Sequence, residues 1–169
     1  APVEFREATS EDEARRIWLG RKSAFGAMGQ INDYMCLDGT IPVSALPLVL
    51  RRIGEMSRAA GLEVANVVHA GDGNMHPLIL YNANDPAEGL RAEIAGAEIL
   101  KLCVEVGGCL TGEHGVGIEK RDLMRVQFSD ADLALQMQIK TVFDPQWLLN
   151  PHKVFPLENR DIQSMAWEH

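Results

Sequence analysis

The sequence predicts an α+β fold in which helices cover one face of an antiparallel sheet. Apolar runs with strand character and capped helical segments alternate in the order β-α-β-β-α-β between residues 33 and 111, and only a short turn separates the two central strands. Hydrophobic residues make up 46% and charged residues 24% of the 169-residue chain, as in ordinary globular domains. This length is sufficient for one domain with its own core.

A first helix is predicted to begin at Ser10, because Ser10 and Glu13 have the spacing of a capping box. Apolar residues then recur at helical intervals as far as Met28. Arg21 falls on this apolar stripe. A charged side chain in that position must either find a partner or extend to solvent.

The first strand and the second helix of the sheet unit follow. A short extended segment is predicted over 33–37, and Asp38-Gly39 predicts a turn after it. Ser44 is predicted to cap the next helix, and Gly61 to end it.

The two central strands are predicted over 62–68 and 75–81. Asp72-Gly73 lies midway between them and favours a tight turn. The sequence therefore predicts a β-hairpin in the middle of the sheet.

A long helix completes the unit. Asp85, Pro86 and Glu88 provide its N-cap, its first-turn proline and its capping partner, and it is predicted to end at the glycine pair 107–108. Residues 109–111 are predicted to form a final short strand. The resulting order is the ferredoxin-like, or split βαβ, arrangement. We expect the sheet face opposite the helices to be free for a partner domain or a ligand.

Two further helices and a tail follow the sheet unit. One short helix is predicted over 120–126, and another, capped by Ser129 with Asp132, should run to about Phe143. The segment from Asn150 onward is rich in proline and poor in periodic apolar residues, and we expect an extended, partly ordered arm.

Charge and cysteine content restrict the classes of partner. The formal net charge of −8 disfavours binding to nucleic acid or to anionic membrane surfaces. Cys36, Cys103 and Cys109 are odd in number and form no C-x-x-C pair, so a disulfide framework is not expected. The sequence contains neither a signal peptide pattern nor a long apolar run. We therefore expect a cytoplasmic protein.

The central hairpin carries two histidines, in the segment HAGDGNMH. A two-residue turn at Asp72-Gly73 would place His69 directly opposite His76, with Cα atoms about 4.5 to 5.5 Å apart. Both imidazoles would then share a sheet face and could bind one metal ion. A plain hairpin, with its histidines solvated or in the core, is the alternative.

A second polar segment, GEHGVG, follows the predicted last strand. Glu113 could add an oxygen ligand to the two histidines and complete a site with an open coordination position. His114 could then act as a general base. The alternative is a flexible polar loop. For Arg21, a substrate carboxylate is a suitable bidentate partner, and a structural salt bridge is the alternative.

Three segments of the sequence, HAGDGNMHPLIL, GGCLTGEHGVGIEKRDLM and FDPQWLLNPHK, resemble the C-terminal domain of FAD-linked oxidases. The likeness extends from about residue 18 to residue 153 and is greatest to the bacterial glycolate oxidase branch, with D-lactate and D-2-hydroxyglutarate dehydrogenases as relatives. It implies a flavin-dependent 2-hydroxyacid dehydrogenase or oxidase.

The resemblance also implies roles for individual residues. His69, His76 and Glu113 match metal ligands, usually for zinc. His114 matches the catalytic residue beside the substrate hydroxyl, and Arg21 matches the arginine that binds the substrate carboxylate.

By the same resemblance, Asn150 and Lys153 match a segment near the flavin. Enzymes of this kind carry an N-terminal domain that binds most of the FAD, so we expect residues 1–169 to be a fragment of the C-terminal substrate-binding cap domain, inactive in isolation. The resemblance implies a small 2-hydroxyacid substrate and electron transfer to an iron-sulfur subunit or a quinone, with peripheral association at the inner membrane through partner subunits. Self-association into a homo-oligomer is a further expectation.

Three positions depart from the relatives. Val43 stands where many have arginine, and Cys36 and Leu78 stand where hydroxyglutarate-type enzymes have polar substrate contacts. Glycolate or D-lactate is therefore preferred over a longer diacid. The competing functional class is a non-enzymatic ferredoxin-like module that binds a metal or small ligand.

Overall fold

A computed structural model describes residues 6–157 and confirms the α+β class. The strands are β1 (Asp33–Cys36), β2 (Gly39–Thr40), β3 (Glu63–His69) and β4 (Asn74–Tyr81). The helices are α1 (Glu11–Lys22), α2 (Ala24–Met28), α3 (Leu46–Ala60), α4 (Pro86–Glu105), α5 (Met124–Gln127) and α6 (Asp130–Phe143). Short 3₁₀ turns precede α3 (Val43–Ala45) and α5 (Arg121–Leu123).

The sheet is antiparallel and centred on β4. Strand β3 pairs with one side of β4, while β1 and β2 pair one after the other with its opposite side. Beyond β2, the predicted strand at 109–111 is reduced to a single bridge between Thr40 and Cys109. The spatial order is therefore that of the predicted ferredoxin-like unit.

The predicted turn at Asp38-Gly39 does not form. The chain continues along the same partner instead, with the Leu37 N–H donating to the Pro77 carbonyl at 3.0 Å. Pro77 has no N–H to return, so the ladder is interrupted opposite this point. The result is one edge divided into β1 and β2, with Asp38 between them.

Helices α3 and α4 cover one sheet face and form the core with it. The buried set includes Val49 and Ile53 of α3, Ile99 of α4, and Met75 and Ile79 of β4. Because side chains alternate along a strand, the next residues of β4 face the other way.

The sequence predicts that the opposite sheet face is free. This prediction is wrong, because the face is covered in the structure. His76, Leu78 and Leu80 lie on it, and all three are buried. The ring of Phe25, in α2, lies 6.2 Å from the ring of His76. The N-terminal helices therefore approach the face that carries the predicted site residues.

Several predicted helix ends are confirmed. Ser10 accepts a hydrogen bond from the Glu13 N–H at 3.2 Å, and Asp85 accepts from the first turn of α4. Ser129 and Asp132 form a complete capping box at α6. Gly61 ends α3 with a φ of 65°, a conformation that glycine adopts without steric cost.

Two helix predictions were wrong. The first helix is divided at Ser23, where α1 ends and α2 begins. Ser44 lies inside the 3₁₀ turn, and Ala45 takes the N-cap position of α3 without a side-chain hydrogen bond. The backbone N–H of Ala45 donates to the Pro42 carbonyl at 2.8 Å, so the chain is already turning at Ser44 before α3 begins.

The C-terminal segment folds back onto the domain. Residues 150–155 form turns and bends rather than an extended arm. Trp147 and Phe155 are buried against each other, and the Val154 N–H donates to the Gly117 carbonyl at 2.8 Å. The rest of the predicted arm lies outside the described residues. Within 6–157, none of the helices combines the length and the apolar character needed to span a membrane.

Gly108 provides a test of the bridge between Thr40 and Cys109 at the sheet edge. A Cβ atom at this position would lie 1.8 Å from the Thr40 carbonyl oxygen. We expect Gly108→Ala to lower the free energy of unfolding by about 2 kcal/mol or more. Gly54→Ala is the control, because a Cβ there meets nothing closer than 3.6 Å and alanine favours a helix. Urea denaturation compares them, and equal stability of the two variants would contradict the assigned bridge.

Candidate metal and substrate site

The site is organised around the loop that follows the Cys109 bridge. The Asp38 side chain, fully buried, accepts hydrogen bonds from three successive backbone N–H groups, those of Gly112, Glu113 and His114, at 2.8 to 3.1 Å. The Thr111 hydroxyl donates to the same carboxylate at 2.7 Å. Consecutive N–H groups of this kind form a concave anion site, which here is filled by the protein's own carboxylate.

Lys120 completes this arrangement from the other side. Its buried ammonium group donates to Asp38 Oδ2 at 3.2 Å and to the Asp38 carbonyl at 3.1 Å. Burial raises the pKa of Asp38, but the hydrogen bonds from Thr111, His114 and Glu113 and the charge of Lys120 lower it by more, so the pKa lies well below its usual range. Asp38 is therefore ionised and holds the loop in one conformation.

The orientation of His76 is determined by a backbone hydrogen bond. Its Nδ1 lies 3.2 Å from the Leu37 carbonyl oxygen, which can only accept, so Nδ1 carries a hydrogen. In the neutral ring, Nε2 then presents a lone pair. A histidine that binds metal is typically oriented in this way, by a hydrogen bond from its other nitrogen to a carbonyl.

The Nε2 atom of His76 points at a carboxylate. Glu113 Oε1 lies 3.1 Å from His76 Nε2 and 3.9 Å from His114 Nε2. Two acceptors at this distance need a cation between them, either a proton or a metal ion. The donor set, imidazole nitrogen and carboxylate oxygen, suits a divalent ion such as zinc. The residues present therefore fit the metal implied by the resemblance.

His114 lies beside this pair. Its ring stacks on that of His76 at 5.1 Å, and its side chain is half exposed. Ligand atoms of Asp38, His76, Glu113 and His114 all lie within 4.8 Å of one another. Asp38 already accepts five donors, so it is better suited to hold the loop than to bind an ion.

His69 lies at the edge of this cluster. The hairpin register places it opposite Asn74, and Val67 lies opposite His76, so the predicted direct opposition of the two histidines is wrong. The turn has four residues, 70–73, rather than two. The two imidazoles nevertheless share a sheet face, with ring centroids 5.4 Å apart. His69 is exposed and lies outside the compact donor groups found among residues 6–157.

Arg21 lies in a cleft next to His69. The cleft has a volume of about 530 Å³ and is also lined by Trp18 and Asp72. Arg21 is half-buried, and none of the ion pairs found in the described part of the chain includes it. The structure therefore gives no support to the alternative of a structural salt bridge.

Asn150 and Lys153 lie in the C-terminal turn. Asn150 has a φ of 48°, and its carbonyl accepts from the Lys153 N–H at 3.1 Å. The turn is tied to the glycine-rich loop through Gly117. Neither residue belongs to the donor cluster of His76, and their assignment to the flavin stays a prediction.

Sequence reasoning missed two residues, Asp38 and Lys120. The sequence indicates only a turn at Asp38 and only the start of a short helix at Lys120. The available signal was a single acidic residue within the otherwise uncharged run CLDGTI. A carboxylate in such a run requires partners, but the lysine is 82 residues away and could not be identified from spacing.

Cys36 also faces the site. It is half-buried at the end of β1, opposite Leu78. Burial and the nearby charge of Asp38 raise the pKa of the thiol. It is therefore protonated at neutral pH and is not an activated nucleophile.

Comparisons with known proteins all point to the same family. The family model "FAD linked oxidases, C-terminal domain" matches residues 2–154. Glycolate oxidase subunit GlcD of Escherichia coli strain K12 is 53% identical over 159 residues. The corresponding subunit of Bacillus subtilis strain 168 is 32% identical over 159 residues, and a mitochondrial D-lactate dehydrogenase of Kluyveromyces lactis is 32% identical over 168 residues.

These matches cover nearly all of this chain but a minor part of each relative. The alignment covers 94% of this chain and 32% of the Escherichia coli protein. It covers 94% and 34% for the Bacillus subtilis protein, and 95% and 29% for the Kluyveromyces lactis protein. The chain therefore spans about a third of the length of these relatives.

The role of Asp38 can be tested through stability. Asp38→Asn removes the charge that pairs with buried Lys120, and we expect it to lower the free energy of unfolding by about 3 kcal/mol at neutral pH. Because the pKa of Asp38 is lowered in the folded protein, its stabilising contribution is complete above about pH 4, where an ordinary aspartate is ionised. The contribution declines as the pH falls from there toward the pKa of Asp38 in the folded protein. The difference in free energy of unfolding between wild type and Asp38→Asn should therefore become smaller only at acidic pH.

Denaturant titrations at several pH values measure this difference. Asp122→Asn is the matched control, because the side chain of Asp122 is 78% exposed and its ion pair should contribute little. A stability difference for Asp38→Asn no larger than that of the control would show that Asp38 does not hold the loop.

Proposed function

Because the chain belongs to the family of FAD-linked oxidase C-terminal domains, we propose that it is the substrate-side domain of a flavoenzyme that oxidises a small 2-hydroxyacid to the 2-oxoacid. Glycolate and D-lactate are the proposed substrates. The observation that carries the proposal is the cluster of His76, Glu113 and His114, beside a cleft that contains an arginine with no ion pair among the described residues.

The proposed metal ligands are His76, Glu113 and His69. The first two already converge, with His76 Nε2 and Glu113 Oε1 3.1 Å apart. His69 is on the same sheet face, and its ring centroid lies 5.4 Å from that of His76. To bind the same ion, His69 must change its side-chain rotamer. A divalent ion held there would polarise the substrate hydroxyl and lower its pKa.

Arg21 is proposed to bind the substrate carboxylate. A guanidinium can hold a carboxylate through two parallel hydrogen bonds. It would also supply a local positive charge in a protein whose net charge is −8. Such an interaction orients C2 of the substrate relative to the histidines.

His114 is proposed to take the proton of the substrate hydroxyl. It is partly exposed and lies against His76, and its backbone N–H is held by Asp38 at 2.8 Å. A base held in this way is close to the donor cluster yet accessible to substrate. When FAD is bound by the remainder of the longer protein, it would accept the hydride from C2.

The partners follow from the same proposal. The name of the Escherichia coli relative describes it as a subunit of glycolate oxidase. We propose that this domain likewise works with its own FAD-binding domain and passes electrons to an iron-sulfur subunit or a quinone. A cytoplasmic location, with peripheral attachment to the inner membrane through such subunits, is part of this proposal.

Metal content is the direct test of the site. The 169-residue chain, saturated with Zn²⁺ and then desalted, should retain about one equivalent. We expect His76→Ala to lose it, because the buried nitrogen that faces Glu113 is removed. His152→Ala is the matched control, since His152 is exposed and outside the cluster. Elemental analysis reads the result, and equal zinc in wild type and His76→Ala would contradict the site.

The role of His114 is tested in the longer flavoprotein. We expect His114→Ala to lower kcat for glycolate or D-lactate by about 100-fold or more, the usual contribution of a general base, with little change in flavin content. The measurement is steady-state kinetics beside a flavin absorbance spectrum. Turnover equal to that of the wild type would remove His114 from the mechanism.

A further inference from the structure

A thiol lies on the same sheet face as the site histidines. Cys36 pairs with Leu78 across the β1–β4 ladder. Side chains of directly opposed residues lie on the same face, and every second residue of a strand returns to it. Cys36, Leu78 and His76 therefore face the same side of the sheet.

The thiol is close enough to the imidazoles to bind an ion together with them. The Cys36 Sγ atom, a ring nitrogen of His76 and a ring nitrogen of His114 all lie within 4.8 Å of one another. These three donors form one compact group, and the carboxylates of Asp38 and Glu113 form another with the same two histidines. The same two histidines thus belong to two donor sets, one completed by a thiol and the other by carboxylates.

The two sets have different chemical preferences. A thiolate is a soft ligand and selects thiophilic ions, whereas carboxylate oxygen suits hard ions such as Mn²⁺ and Mg²⁺. Cys36 Sγ has only a weak contact of 3.5 Å with the Leu37 carbonyl, so little holds it away from an ion. A Cys and two His ligands also leave an open coordination position on a tetrahedral ion.

We infer that Cys36, His76 and His114 form a second metal site, overlapping the first, which captures thiophilic divalent cations. The inference rests on the proposed function for the role of His114 and His76. On binding, a bond forms between the ion and Sγ, and the thiol proton is released to solvent; no electrons are transferred. Because His114 becomes a ligand, an ion held here removes the proposed base and blocks the enzyme.

Cadmium is the probe. The 169-residue chain titrated with Cd²⁺ alone should show the ultraviolet charge-transfer absorption of a cadmium–thiolate bond. We expect Cys36→Ser to abolish this absorption and to lower the affinity for Cd²⁺ by about tenfold or more, while the affinity for Mn²⁺ changes by less than about twofold.

Cys109→Ser is the matched control, because Cys109 is also half-buried but belongs to neither donor group of the described residues. It should retain the absorption. Persistence of the band in Cys36→Ser, or its loss in Cys109→Ser, would overturn the assignment to Cys36.

His76→Ala separates this inference from the proposed function. Zinc retained by wild type and lost by His76→Ala, with no thiolate band on adding Cd²⁺, would overturn the thiolate set and leave the first site intact. A second outcome is that Cys36→Ser loses the cadmium–thiolate band while His76→Ala still retains zinc. That outcome would overturn the first site and leave Cys36 as a cadmium ligand. Absence of both ions from the wild type would overturn both.

Discussion

The buried Asp38 carboxylate is the constraint on which the rest of the site depends. It accepts hydrogen bonds from three consecutive N–H groups of the loop and from Thr111, and Lys120 balances its charge. A loop with this many glycines would otherwise sample many conformations. Because the donors belong to the residues that carry the functional side chains, the carboxylate determines where Glu113 and His114 point.

Pro77 connects this arrangement to the sheet. As a residue of the central strand without an N–H, it leaves the ladder incomplete at the place where Asp38 interrupts the edge. The backbone carbonyl of Leu37, next to Asp38, then accepts from His76. The interruption of one edge strand thus supports both halves of the site, the loop through the Asp38 side chain and the histidine through the neighbouring backbone.

Local patterns predicted the order of elements but not the interactions between distant ones. Caps at Ser10, Asp85 and Ser129 were predictable, because each acts within one turn of chain. The four-residue turn at 70–73 was not, since Asp72-Gly73 also fits a two-residue turn and the choice is made by the register of the whole hairpin. The Asp38–Lys120 pair was invisible for the same reason, because nothing local marks two residues so far apart as partners.

The span between Asp38 and Lys120 has a kinetic consequence. The pair closes a separation of 82 residues, whereas the β3–β4 hairpin forms between neighbouring segments. Contacts between distant residues carry a larger loop-closure cost and form late. The hairpin can therefore form while the loop of Glu113 and His114 is still open, so we expect the proposed ligand site to be complete only after the Asp38–Lys120 pair has closed.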